Sequence, residues 1–199
     1  MRRLRLFLWV VVGLAAVAAL GVYAFRSPPA PAPTTSGAGV ADLGGPFTLT
    51  GSDGQPFSSS RLAGRPFVIF FGFTHCPDVC PTTLARMARL RKALGKGDEA
   101  FAIVFVSVDP ERDKPADMAR YGGLFGTPVI GLTGSPAAID RVKQEYGIYS
   151  KKVAQPGGDY SVDHTATVLL FDRAGRFTAT IATDEGDAPA LDKLKALTS

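Results

Sequence analysis

The sequence predicts an α/β domain, a mixed central sheet flanked by helices, behind an N-terminal transmembrane helix. Three observations carry that expectation. RPFVIFFGF (65–73) and FAIVFVSV (101–108) are almost continuous apolar runs of β-forming residues, the pattern of strands buried on both faces. A helical pattern separates them, and such βαβ units need parallel strands joined by right-handed crossovers. The only two cysteines, Cys76 and Cys80, stand where the first of these strands gives way to the first helix, a thioredoxin-like placement.

At the N-terminus, LFLWVVVGLAAVAALGVYAF (6–25) runs twenty residues without a charge. At about 1.5 Å per residue it spans roughly 30 Å, the thickness of a bilayer's hydrocarbon core. Arg2, Arg3 and Arg5 hold its leading end in the cytoplasm and send everything after Arg26 across the membrane. The apolar region of a signal peptide runs only about 7–15 residues, so residues 1–26 are expected as a retained anchor. Cleavage near Ala16 or Ala18 is the competing reading, and both readings export the domain. SPPAPAPTTSGAG (27–39) has the composition of an extended linker, which leaves 40–199 for the folded domain.

Within that domain, PFTLTGSDGQPFSSS (46–60) alternates around Asp53-Gly54 and predicts a hairpin. After Pro81, TTLARMARLRKAL (82–94) sets Leu84, Met87, Leu90 or Arg91, and Leu94 at helical spacing, with Gly95 as a stop. The strand 101–108 ends at Asp109-Pro110. A weaker helix follows over 114–125, then a short strand over 128–134. A helix over 135–147 has Ser135 as its N-cap and Ile139, Val142 and Tyr146 on one face. HTATVLLFD (164–172) and RFTATIAT (176–183) predict a last hairpin about Arg173-Ala174-Gly175. Asp187 is placed to cap a closing helix carrying Leu191, Leu194 and Leu197.

Charge excludes one class of function. The net charge of +4 equals the four arginines flanking the apolar span; from Ser27 onward acidic and basic side chains balance. Nucleic-acid binding by a phosphate-tracking stripe has no basis in such a chain, and Arg86, Arg89, Arg91 and Lys92 are expected as a solvated helix face.

Cys76 and Cys80 are separated by three residues, a wider loop than the C-x-x-C of a simple redox pair. Free N–H groups at a helix start favour a thiolate there. Two thiolates so spaced can converge on one metal ion, and with an imidazole they make a three-coordinate site suited to Cu(I). Zinc normally takes a fourth ligand, and a structural zinc site of three or four thiolates is excluded by the cysteine count. A static disulfide closing so small a loop stabilises little. The imidazole could come from His75, which adjoins Cys76 and is awkwardly placed for it, or from His164, which opens the strand HTATVLLF. Spacing alone leaves that choice, and metal binding itself, open.

GFTHCPDVCPTTL (72–84), VSVDPERD (106–113), LTGS (132–135) and DYSVDHTATVLLFDRAGRF (159–177) occur in that order. On these residues the chain resembles the Sco/SenC family of copper-binding, thioredoxin-like proteins involved in cytochrome c oxidase assembly. The resemblance implies that Cys76, Cys80 and His164 bind one copper ion, as Cu(I), Cu(II) or both. It also places Asp78 inside the metal loop and Asp163 beside the histidine, where acids orient ligands or meet a partner; Asp109, at a strand end, is a weaker candidate for the same part. Lys114 and Arg173 differ from residues common in the family and are peripheral.

The expected function is a copper chaperone anchored in the bacterial cytoplasmic membrane, its domain in the periplasm or outside the cell. It would supply the binuclear copper centre of an oxidase subunit, with another periplasmic copper donor as a candidate partner. The short arginine-only lead-in favours bacteria over mitochondria. Two alternatives stand beside it. One is a thiol–disulfide reductase, with Cys76 and Cys80 as its redox pair, that keeps the oxidase's copper cysteines reduced. The other is a copper or redox sensor. A copper site needs His164, whereas a reductase does not.

Overall fold

The two apolar runs form neighbouring parallel strands, β3 (Phe67–Gly72) and β4 (Ala102–Ser107), in which every residue is buried. This computed structural model describes residues 43–199, together with Arg2 and Trp9. The chain divides into two units, Met1–Ala38 and Gly39–Ser199, and the elements named below all belong to the second. Among the described residues no helix is long and apolar enough to cross a membrane. The span expected over 6–25 lies, Trp9 apart, outside them.

The hairpin at Asp53-Gly54 is β1 (Thr48–Gly51) with β2 (Pro56–Ser58). The remaining strands of the main sheet are β5 (Val129–Thr133), β8 (Val168–Phe171) and β9 (Phe177–Ile181), and the order is β2-β1-β5-β4-β3-β8-β9. β3, β4 and β5 run parallel, while β1 on β5, β8 on β3 and β9 on β8 are antiparallel. Helices α1 (Val79–Ala93), α2 (Pro115–Gly122), α3 (Pro136–Glu145) and α4 (Asp187–Leu197) flank it. Of these, α2 packs on β5, α3 on β1 and α4 on both β9 and α1. A mixed sheet with its cysteine pair at the β3–α1 junction is the expected thioredoxin-like arrangement.

The structure departs from the sequence reading in three places. His164 does not open the strand of 164–172. It closes β7 (Tyr160–His164), which pairs antiparallel with β6 (Ser150–Ala154) in a separate two-stranded sheet. The central strand β8 starts only at Val168. Helix α1 begins at Val79, with Cys80 at the helix start as expected and Pro81 in the first turn, where a missing N–H costs nothing. Asp187 is the first residue of α4 and not its cap, which is Gly186; its carboxylate accepts from Arg86 Nε at 2.8 Å and Arg89 Nη2 at 2.9 Å. The solvated basic face fails at two positions. Arg86 is largely covered by this pairing, and Arg91 is 1% exposed. The Arg91 guanidinium donates to Phe101 O and Pro128 O, both at 3.0 Å, and to Thr127. It thereby ties the end of α1 to the chain entering β4 and β5.

Gly72, the last residue of β3, sets the position of the cysteine loop. A Cβ there would stand 2.6 Å from Cys80 Sγ and 2.9 Å from Phe105 Cε2. Gly72→Ala therefore overpacks the junction and is expected to lower the unfolding free energy by about 1–3 kcal/mol. Urea titration followed by circular dichroism checks this, and wild-type stability would contradict it.

Candidate metal centre

Beyond Gly72 the chain leaves the sheet through buried Phe73 and turns before α1 begins. Cys76 N donates to Phe73 O at 3.2 Å, closing the turn, and Cys80 N in the helix's first turn donates to Cys76 Sγ at 3.4 Å. A helix-start N–H without an intrahelical partner thus meets the first sulfur. Cys76 is half-buried and Cys80 fully buried, and both are free thiols.

The turn is anchored from below by a residue that the sequence reading passed over. Asp113 is sealed from water and accepts from Thr74 N at 3.1 Å, Thr74 Oγ1 at 2.6 Å and Ser107 Oγ at 2.6 Å. The available signal was the acid-rich DPERD directly after a buried strand.

His164 arrives from the other sheet. Its Nδ1 lies 2.9 Å from Thr165 O. A carbonyl can only accept, so Nδ1 carries the proton and Nε2 keeps a free lone pair, the tautomer a metal ligand needs. Nε2 stands 3.6 Å from Cys80 Sγ. The rings of Phe70 and Phe73, at 6.1 and 5.9 Å, meet the imidazole edge-to-face and fix its plane. Donor atoms of Cys76, Cys80 and His164 all lie within 4.8 Å of one another. Among the described residues no other group of three histidine, cysteine or acidic side chains converges in this way.

The other candidates fall outside this cluster. His75 is exposed, lying 3.2 Å from Thr74 Oγ1 and 3.6 Å from Asp113. Asp78, also exposed, stands at the N-cap position of α1, but its side chain makes no capping bond and accepts from Thr82 Oγ1 at 3.2 Å. Asp163 is exposed on β7 and registers with Lys151. Asp109 is buried, out of reach of a partner, and its carboxylate accepts from Arg112 Nε at 2.5 Å and Tyr160 Oη at 2.8 Å.

The expected thiolate stabilisation fails at Cys80. Desolvation dominates there and pushes the thiol far above its usual range, outweighing a backbone hydrogen bond that pulls it down. Without metal Cys80 is therefore a neutral S–H that donates to His164 Nε2.

The family model described as SCO1/SenC matches residues 35–199. The chain belongs to the SCO1/SenC family. One SCO1/SenC relative, Protein SCO1 homolog 1, mitochondrial, of Arabidopsis thaliana, is 40% identical over 134 residues, which are 67% of this chain and 40% of the relative. The chain thus spans well under two thirds of that relative's length. Among solved structures, ScoI of Bradyrhizobium japonicum with copper bound is 44% identical, with a TM-score of 0.71 over 78% of this chain and 99% of that one. BsSco, described with a disulfide switch and as a member of the Sco family of cytochrome c oxidase assembly proteins, is 25% identical, with a TM-score of 0.63 over 80% of this chain and 95% of that one.

The unequal burial of the two sulfurs has a chemical readout. In the metal-free protein Cys76 is expected to be alkylated well before Cys80, because the thiolate is the nucleophile and Cys80 stays protonated through the mildly alkaline range. Peptide mapping after a short iodoacetamide pulse checks the order; equal labelling would contradict the burial argument.

Proposed function

We propose that this chain is a copper chaperone that holds one copper ion through Cys76, Cys80 and His164 and passes it to the binuclear copper centre of a cytochrome c oxidase subunit. The observation that carries this reading is the convergence of two sulfurs and an imidazole nitrogen within 4.8 Å. The donor set fits the cargo: thiolates are soft ligands that select Cu(I), and imidazole suits copper in either oxidation state. Copper in the Bradyrhizobium ScoI structure and the resemblance over 72–84 and 159–177 support the same assignment.

Three donors leave a coordination position for an incoming ligand, so cargo leaves by ligand exchange and not by unfolding. Cys76, half-buried beside exposed Pro77, Asp78 and Val79, is the sulfur an acceptor reaches first; Cys80 lies behind it. Uptake must expel the Cys80 proton, so apparent affinity rises with pH as long as that thiol is protonated in the free protein.

The reductase alternative draws on the proximity of the two free sulfurs and on the disulfide switch described for BsSco. In a reductase the more exposed Cys76 would attack and the buried Cys80, held protonated, would have to resolve the mixed disulfide; a protonated thiol is slow at that step, which favours delivery. His164→Ala separates the readings because it leaves both thiols intact. Oxidase assembly in cells carrying it is expected to fail at low copper and to recover in part when copper is added. Normal assembly at low copper, with Cys76→Ser and Cys80→Ser both inactive, would sink the delivery reading in favour of the reductase.

Residues 1–26 anchor the chain in the bacterial cytoplasmic membrane in this reading, 27–39 tether it, and the domain from 40 onward works on the far side. The basis is the charge-free span 6–25 behind Arg2, Arg3 and Arg5. The protein is expected in the membrane pellet, with its domain open to protease in spheroplasts. A freely soluble mature form beginning beyond Phe25 would refute the anchor.

A further inference from the structure

Strands β6 and β7 pair only with each other. A lone two-stranded hairpin is marginal in water, so its position, and that of His164 at its end, is set by contacts with the body of the domain. Tyr160, Val162 and His164 alternate onto one face of β7, and Val162 is buried. The polar contacts of that hairpin converge on the segment that follows β4.

At the centre of this contact is Arg112. Its Nε donates to Asp109 Oδ2 at 2.5 Å, and its Nη1 donates to Asp159 Oδ1 at 3.0 Å and Tyr160 O at 2.9 Å. The guanidinium lies 3.8 Å from the Tyr160 ring centroid and 5.9 Å from that of Phe73, the ring that also meets His164. Tyr160 Oη donates to Asp109 Oδ1 at 2.8 Å, and Lys152 pairs with Glu111 at 2.6 Å while lying 4.6 Å from the Tyr160 centroid. Asp109 is wholly buried and the Arg112 side chain 19% exposed. That removes the pair from the class of solvated surface bridges that contribute little. Four residues after Asp109, Asp113 holds the cysteine turn through Thr74.

We propose that the segment Asp109–Asp113 joins the two halves of the metal centre, with Arg112 as the positioning residue that sets His164 against the cysteines. This rests on the reading of Cys76, Cys80 and His164 as copper ligands. Asp113 grips the loop that carries the sulfurs, and Asp109 with Arg112 grips the hairpin that carries the imidazole. The five residues act as a rigid spacer, and the distance between nitrogen and sulfurs follows from their side-chain bonds.

The test measures Cu(I) release from the full-length protein to an excess of a colorimetric Cu(I) chelator, together with X-ray absorption of the loaded protein. The variants are Asp109→Asn/Arg112→Gln, which removes both charges of the pair at once so that no buried charge is left stranded, and Tyr160→Leu, a milder change should the first fail to fold. Each is made in the wild-type and in the His164→Ala background. Arg112 and Tyr160 do not bond His164 directly, so release is expected to accelerate by about 10-fold, the low end of what loss of a bonded outer partner costs a metal site, with loss of the nitrogen neighbour. In the His164→Ala background the same variants are expected to change nothing. Equal acceleration in both backgrounds, or none in the wild-type background, overturns the proposal while the ligand assignment stands. If His164→Ala alone leaves release unchanged, the ligand assignment fails and the positioning role falls with it.

Discussion

Cys80 Sγ lies against the end of β3, where only the missing side chain of Gly72 leaves room for it. From that contact much of the candidate site follows. Helix α1 must start early enough to carry Cys80 into the interior, so the turn from Phe73 to Asp78 is short and Cys76 stays near the surface. Burial then decides the chemistry of the inner sulfur, since the cost of a desolvated thiolate exceeds what the backbone hydrogen bond at Phe73 returns. The two cysteines, alike in sequence, become an outer group open to exchange and an inner one held neutral until something replaces its proton.

Buried polar side chains do most of the specifying around this junction. Asp113, Asp109 and Arg91 are each sealed from water and each bonded to groups from other segments of the chain. Taking a charge out of water is costly, and losing one partner of a buried pair typically destabilises by about 3–5 kcal/mol. Such groups tolerate few alternative arrangements. Apolar packing makes the sheet stable, and these bonds determine which loops meet at its end.

Legibility in the sequence followed the same division. β3, β4 and β5 could be read because apolar β-forming runs have few other uses, and α3 because Ser135 and the spacing of Ile139, Val142 and Tyr146 agree. The β6–β7 hairpin was missed although Pro156-Gly157-Gly158 marks its turn: SKKVA and YSVDH are too polar for an alternating signal, since only Val162 among their side chains is fully buried. Arg91 read as a surface charge because its partners are mostly backbone oxygens at Phe101 and Pro128, which leave no trace in composition. The turn pair Cys76 and Cys80 was visible from its spacing at a strand–helix junction. Between His75 and His164 only the resemblance decided, because a contact across 84 positions is set by tertiary packing and has no local pattern.

The main sheet is hydrogen-bonded from β2 to β9 without the small hairpin. A seam therefore runs through the candidate metal centre, with sulfur on one side and nitrogen on the other. Movement along that seam breaks side-chain contacts but no rung of the seven-stranded ladder. Separating the hairpin from the body and unfolding the sheet would thus break different sets of bonds, the first the side-chain network around Arg112 and the second the strand ladder. A carrier of the kind proposed needs that separation, because it must let go of its load many times without losing its own shape.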